Sequence, residues 1–563
     1  MNRKEAIKRT ALLMGGCAFV PSAMGVLKGC TPGSLGDVAG VGNGDSIIGD
    51  GNPIDESKAI FNSVSALRTT PGEVGEIAAL TGYYEADDGG GTIVNWDKDS
   101  TEDDDGGMIF KVDGVSTGRW KRPDVGEINV KWFGARGDGV DRLGSESDVK
   151  VFDKVLDWIA SNTIKTIYIP AGTYMLQHTI KRITHKHNGL EMYGDGYDSE
   201  IKLSDNPDWN AASGETHWII KAPQNSTGDH VLENLFFHHF RINGNYSVNG
   251  GESSLMRLQG NRDTMAEGEE TFNIRVEDMH AHDAGDSCFA MRVSNLVMKR
   301  IKAWDCLRHG IGTNTGINVY VQDFEAWGCG MNGGSYGLDF SSGYNLVCED
   351  FYLHENYNGF KTSSNIRGAE LINGRIINSI DRNMRQTGAA HPDNTLVLTD
   401  ITTENAGKDG NRFTHLKKIT FNNFTSINDG TGDSPAVHFT SDTQEVEING
   451  MTIIGSGNTG ILIQASGEAR ITDLEIDGCS KGVDSNTDTT INGISIKNAN
   501  PALDVRGSSS WEVSGVEFTG NGSSSSTAIR IESGSVVEVS DCDFNGVSDD
   551  YMGNGTFKYK ETN

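Results

Sequence analysis

Four stretches of the chain repeat one another. They are NIRVEDMHAHDAGDSCFAMR from Asn273, NLVMKRIKAWDCLRHGIGTN from Asn295, NVYVQDFEAWGCGMNGGSYGLDFS from Asn318 and NLVCEDFYLHENYNGFKTS from Asn345. Their starts lie 22, 23 and 27 residues apart. At such a period each copy is one supersecondary unit that cannot bury its apolar side alone, so successive copies must stack. Within each copy the apolar residues alternate as in strands, which makes the stack a solenoid of parallel strands about 4.8 Å apart. Shorter copies continue towards the C-terminus: GILIQAS, GVDSN, ALDVRG and AIRIES.

Stacking sorts the side chains, because strand faces alternate with a period of two. Ile274, Leu296, Val319 and Leu346 form one inward column. Met279, Ile301, Phe324 and Phe351 form a second, and Ala281, Ala303, Ala326 and Leu353 a third. In the last strand of each copy Phe289, Ile311, Leu338, Phe360 and Val437 point inward. Two residues on, so do Met291, Thr313, Phe340, Thr362 and Phe439. The residue between each pair must then point outward: Ala290, Gly312, Asp339, Lys361 and His438.

That outward column is where chemistry can sit. It puts Asp339 beside Lys361, with Tyr336, His309 and Arg308 just before the strand Gly and Arg292 in the polar ladder that follows. DRNMRQTGAAHPDN reads as a long loop that brings Arg382, Arg385 and His391 to the same edge. These residues form a basic rim suited to an anionic ligand such as a uronate or sulfated sugar chain. The bland alternative is a solvated face with an ordinary cross-strand ion pair. Trp304 and Trp327, between His282 and His354, form another outward column. It either stacks on sugar faces or braces the turn between coils.

The formal charge of −30 repels nucleic acid, so no nucleic-acid partner is expected. Gly at 71 of 563 residues against 11 Pro suits many tight turns between short strands. Calcium needs several outward carboxylates together. Here Asp339 stands far from Asp484, so no metal or other cofactor is expected. Cys288, Cys306, Cys329, Cys348, Cys479 and Cys542 show no zinc-type spacing and read as small buried residues, with a disulfide permitted.

Before the repeats, FGARGDG (Phe133–Gly139) precedes ESDVKVFDKVLDWIA, where Val149, Phe152, Val155, Leu156 and Ile159 share one helical face. YIPAGTY and GDGYDSEI follow. This order resembles the opening of the pectate-lyase-like, rhamnogalacturonase/epimerase-like β-helix superfamily, which phage tailspikes share. VDRLGSESD stands where the family has Thr-Asp-Asp after GDG. The resemblance implies an all-β, right-handed parallel β-helix with an N-terminal capping helix, over residues 128–550. A small β-rich module at 56–127 precedes it and a tail at 551–563 follows it.

For function the resemblance implies a polysaccharide-acting protein, and three chemistries compete. Elimination needs a base for the proton α to a uronate carboxylate, a neutralising cation and an acid for the leaving oxygen. Lys361, Tyr336, His309, Asp339 and Arg308 supply those types as catalytic candidates. Arg292, Arg382, Arg385, His391, His438, Trp304 and Trp327 are candidates for substrate contact. A hydrolase ranks second, because it needs two carboxylates and Asp339 would have to borrow Asp305 or Glu355. YGLDFSS is similar to the Tyr-Gly-Phe-Asp-Pro-His-Glu motif of mannuronan C5-epimerases at Tyr336, Gly337 and Asp339, and lacks its His and Glu. A non-catalytic, tailspike-like glycan-binding solenoid is the remaining alternative.

The N-terminus reads as a targeting segment: MNRKEAIKRT is basic and the apolar run after it is broken by Gly and Pro. Leu27-Lys28-Gly29-Cys30 resembles a bacterial lipobox with Cys30 as the lipidated residue, Lys28 standing where a small residue is usual. A plain secretory signal is the alternative. Residues 1–30 are therefore expected to be a lipoprotein-type signal peptide and 31–55 a Gly- and Asp-rich tether. Either reading exports the mature chain, and the lipid would be its only link to a membrane, an outer membrane in the lipoprotein case.

Overall fold

The structure is a computed structural model that describes residues 59–560 except 125, 206–216, 223–231, 252, 260–271, 389–392, 409 and 521–525. Cys30, the signal segment, the tether and His391 lie outside the described residues.

The repeats wind into the expected parallel β-helix. Ile274 pairs with Leu296, Leu296 with Val319 and Val319 with Leu346. The Met279 and Ala281 columns follow the same register. All are buried, and the fully enclosed Phe289, Phe340 and Phe360 are each worth ~2 kcal/mol of apolar burial. The Asn that opens each copy has a structural reason. Asn273, Asn295, Asn318 and Asn345 all take left-handed φ values of 50–54°, which Asn tolerates better than most residues. Asn345 donates its side-chain N–H to Asn318, and Asn318 to Asn295, each at 2.9 Å, so one corner is sealed by an amide ladder.

The helix Asp148–Ser161 buries the five expected apolar residues together with Val151 against the first coils. The N-terminal module is a five-stranded sheet with its own core around Trp120, whose indole N–H donates to the Thr70 carbonyl at 2.8 Å. At the other end the expected tail is corrected. Asp549–Gly553 and Thr556–Tyr559 pair in parallel with the preceding coil, so residues 551–559 belong to the solenoid.

Arg382 and Arg385 require a second correction. They lie on a strand, Arg382–Thr387, that pairs with Asn358–Ile377. The strand is hard to read because its inward residues are polar: Asn383 and Gln386 are 0% and 1% exposed. For Asn383 the fully buried Asp429 carboxylate inside the solenoid makes this tolerable. It accepts from Asn383 at 2.7 Å, Ser426 at 2.7 Å, the Ala406 amide at 3.0 Å and Asn411 at 3.2 Å, and from Thr403. A buried carboxylate without a cation persists only when its lone pairs are satisfied in this way. Burial still pushes its pKa up, against the pull of those hydrogen bonds.

Candidate functional site

The outward column is longer and more basic than the repeats suggest. In register it runs Lys221, Arg257, Ala290, Gly312, Asp339, Lys361, Arg385, Arg412 and His438. His438 is therefore not next to Lys361; Arg385 and Arg412 stand between them. Four successive coils carry Lys, Arg, Arg and His on one line, on a chain of net charge −30.

Asp339 is the centre of the site. Its side chain is 4% exposed, and three groups converge on it. Ser341 donates to Oδ1 at 2.8 Å. Lys361 Nζ and His309 Nε2 approach the same oxygen, Oδ2, at 3.5 and 3.4 Å. The imidazole lies parallel to the Tyr336 ring, with centroids 6.1 Å apart, and Lys361 Nζ stands 5.4 Å from the centre of that ring. Burial lowers the pKa of His309, and Lys361 and Arg308 add to this while Asp339 and Cys306 oppose it. His309 is thus a neutral imidazole near pH 7, with Nδ1 turned inward and without a hydrogen-bond partner among the described residues.

Exposure divides the five catalytic candidates. Lys361 and His309 each keep about a fifth of their side chain open, at 21% and 20%. Asp339 and Tyr336 lie beneath them, Tyr336 at 2%. Burial raises the Tyr336 pKa, with the hydrogen-bonded Arg385 guanidinium pulling the other way, so the phenol keeps its proton. Arg308 is apart from this knot. It is 57% exposed and pairs with Asp286 at 3.6 Å.

The repeated Gly before each strand is a packing requirement. A Cβ at Gly359 would sit 2.1 Å from Ile376 Cγ2, and one at Gly337 would sit 2.8 Å from Asn356 Nδ2. Arg292 lies two coils before Asp339. Arg382 pairs with Asp381 at 2.8 Å. Trp304 and Trp327 lie on the strands before the corner. Their rings stack at 4.9 Å and 2°, and His282 and His354 cover the outer faces at 4.4 and 5.6 Å. With the faces covered, the column braces the turn and offers a sugar only ring edges.

Arg412, Arg257, Lys221 and Trp218 were missed in the sequence. The one available signal is the Asn-Arg-Phe alternation at 411–413, which a polar inward Asn disguises. A carboxylate pair suited to hydrolysis does occur further along the column, where Asp484 stands beside Asp504. It is closed. Lys481 reaches both, at 3.3 and 3.0 Å, Arg506 pairs with Asp484, Arg530 pairs with Asp504, and Asp504 is 0% exposed. Among the described residues no group of three or more His, Cys, Asp or Glu is placed to hold a metal ion.

Residues 127–379 match the family described as rhamnogalacturonase A/epimerase, pectate lyase-like. That likeness covers part of the parallel β-helix. Asp339, Lys361 and His309 all lie within the matched part of this β-helix domain. Residues 60–125 match a phage tail protein small four-stranded β-sheet domain. Among solved structures the chain is similar to the enzymatically active domain of bacteriophage CBA120 tailspike protein 2, at 13% identity and a TM-score of 0.32, covering 91% of this chain and 57% of that one. A Pantoea stewartii glycan biofilm modifying enzyme with a tailspike-like parallel β-helix gives 15% identity and a TM-score of 0.37, over 66% of this chain and 48% of that one. An Azotobacter vinelandii mannuronan C-5 epimerase A-module gives 14% and 0.32, over 77% of this chain and 100% of that one. The chain spans about half the length of the first two. No curated protein matches.

Proposed function

We propose that this protein is an exported enzyme, lipid-anchored through Cys30, that cleaves an anionic polysaccharide by β-elimination at a uronate. The observation that carries the reading is one buried carboxylate oxygen, Asp339 Oδ2, shared between a neutral imidazole and an ammonium. With its proton on Nδ1, His309 turns the Nε2 lone pair from Asp339, to which it makes no hydrogen bond, towards the substrate and takes the proton from the carbon α to the carboxylate, and Arg308 meets that carboxylate and offsets the charge that develops on it. The bond to the departing sugar oxygen breaks as the ring double bond forms. Lys361 gives that oxygen its proton. Asp339 stabilises the imidazolium and, touching both groups, returns the proton from His309 to Lys361. Tyr336 is a positioning residue, its ring fixing the plane of His309 and the reach of Lys361. Arg292, Arg382, Arg385, Arg412 and His438 hold the charged chain along the solenoid axis. Neither of the two open side chains on Asp339 is a carboxylate, so the site favours elimination over hydrolysis, which needs an acid and a second carboxylate.

The test is incubation of the full chain with polygalacturonate, alginate and a sulfated glycan. Ultraviolet absorbance from an unsaturated uronate is the expected result. New reducing ends without that absorbance would make the enzyme a hydrolase, and retention without cleavage would make it a binding module.

A further inference from the structure

The outward column has a gap. Lys221 and Arg257 stand on successive coils, the next two coils present only the methyl of Ala290 and the hydrogen of Gly312, and Asp339 closes the far side. Met256 and Leu258, Phe289 and Met291, and Ile311 and Thr313 flank the column residues and all point inward. The gap is therefore on the outer surface and not a defect of the core. Three coil steps separate Arg257 from Asp339, about 14 Å.

The rim of the gap gathers cations around one ring, Lys221 at its buried edge. Lys221 Nζ lies 3.7 Å, and the Arg257 guanidinium carbon 4.7 Å, from the centre of the Trp218 ring. Both cations are thus held over one aromatic surface. Arg257 Nε donates to Gln259 Oε1 at 3.0 Å, which fixes the fork. Arg292 flanks Ala290 in the next ladder. On the far side the His309 ring overhangs Gly312 so closely that a Cβ there would lie 3.3 Å from its Cδ2. A ring lying in the gap is thus held between cations on one side and the proposed base on the other.

We infer that Ala290 and Gly312 form the seat of the anionic sugar that loses its proton, with Lys221, Arg257 and Arg292 holding the next charged group of the same chain. This rests on the elimination reading for the role of the sugar, but its binding claim can fail separately. The small residues leave the space, His309 forms one wall, and the polymer continues along the axis in both directions, to Trp218 on one side and to Arg385 and Arg412 on the other.

The test uses the full chain and affinity electrophoresis in gels containing polygalacturonate, alginate or heparin, beside the absorbance assay. Ala290→Trp fills the seat from an outward position, and Lys221→Gln removes a rim charge. Leu462→Trp, on the same column beyond His438, controls for a bulky outward residue. Ala290→Trp is expected to lower retention at least about tenfold with unchanged circular dichroism, and Lys221→Gln severalfold, while Leu462→Trp behaves as wild type. Wild-type retention and turnover in Ala290→Trp would overturn the seat even if the enzyme proves to be a lyase. If the wild type is retained but never cleaved, the elimination reading falls, and loss of retention in Ala290→Trp still establishes the seat. A wild-type chain retained by none of the three polymers overturns both.

Discussion

Replacing Lys361 with Met separates charge from packing in the site, because Met keeps an apolar stem over the Tyr336 ring and removes the ammonium. At the 3.5 Å separation from Asp339 the pair is worth about 5 kcal/mol gross at an effective dielectric near 20. Desolvating a carboxylate that is 4% exposed takes most of that back. Losing one partner of a sealed pair costs about 3–5 kcal/mol. Here a fifth of Lys361 is open to water and Ser341 and His309 remain on Asp339, so the expected local cost is ~2 kcal/mol. Coils of a solenoid unfold as neighbours and not as one unit, so this is read by hydrogen exchange in Tyr336–His354 and Asn358–Ile377 against distant coils. The sharper readout is His309. Burial is the main cause of its lowered pKa, Lys361 lowers it further and Asp339 raises it, so deleting the ammonium must move the imidazole up. An NMR titration of the His309 Cε1 proton, assigned with His309→Gln, should show that rise. The acid limb of the pH–rate profile should move to higher pH with it, and kcat should fall about 10²–10⁴-fold with loss of the acid. An unmoved titration or wild-type turnover would refute the shared-carboxylate argument.

Four further outcomes are expected. Because His309 titrates lower when folded, the unfolded chain binds more protons below an ordinary imidazole pKa near 6.5, and stability from this group falls as pH drops through that window. His309→Gln should flatten that part of the pH–stability curve measured by thermal scanning. Gly359→Ala drives a methyl into Ile376 and should cost about 1–3 kcal/mol, read as lost protection in the site coils. Arg412→Ala should raise KM severalfold at constant kcat and weaken the salt dependence of binding, as expected for a group that attracts the chain without touching the reacting bond. Asp429→Ala strands Asn383, Asn411, Thr403 and Ser426 inside the core, and about 3–5 kcal/mol of lost stability should appear as reduced soluble yield, with Asp429→Asn milder.

Much of this was legible from the repeats alone. Once Asn273, Asn295, Asn318 and Asn345 are aligned, the period of two assigns every inward Leu, Ile and Phe of those coils and turns Asp339 and Lys361 outward together. The capping helix is equally plain, because five apolar residues at helical spacing have only one side to bury. The alignment fails where the interior is polar. Asn383, Gln386 and Asn411 break the apolar alternation, so Arg385 looks like part of a loop and Arg412 goes unnoticed, although both continue the same column.

Apolar periodicity is a local property that one copy shows as well as ten, so the linear chain already dictates that it winds into stacked coils and which surface strand varies. Only the closed solenoid sets how that surface is arranged. Whether Trp304 has an open face depends on rings about 20 residues away along the chain. Whether His309 is neutral depends on how deeply its neighbours bury it, and whether polar residues are tolerated inside depends on Asp429. Burial, stacking and shared partners are sums over groups distant in sequence, and only the closed solenoid brings those groups together.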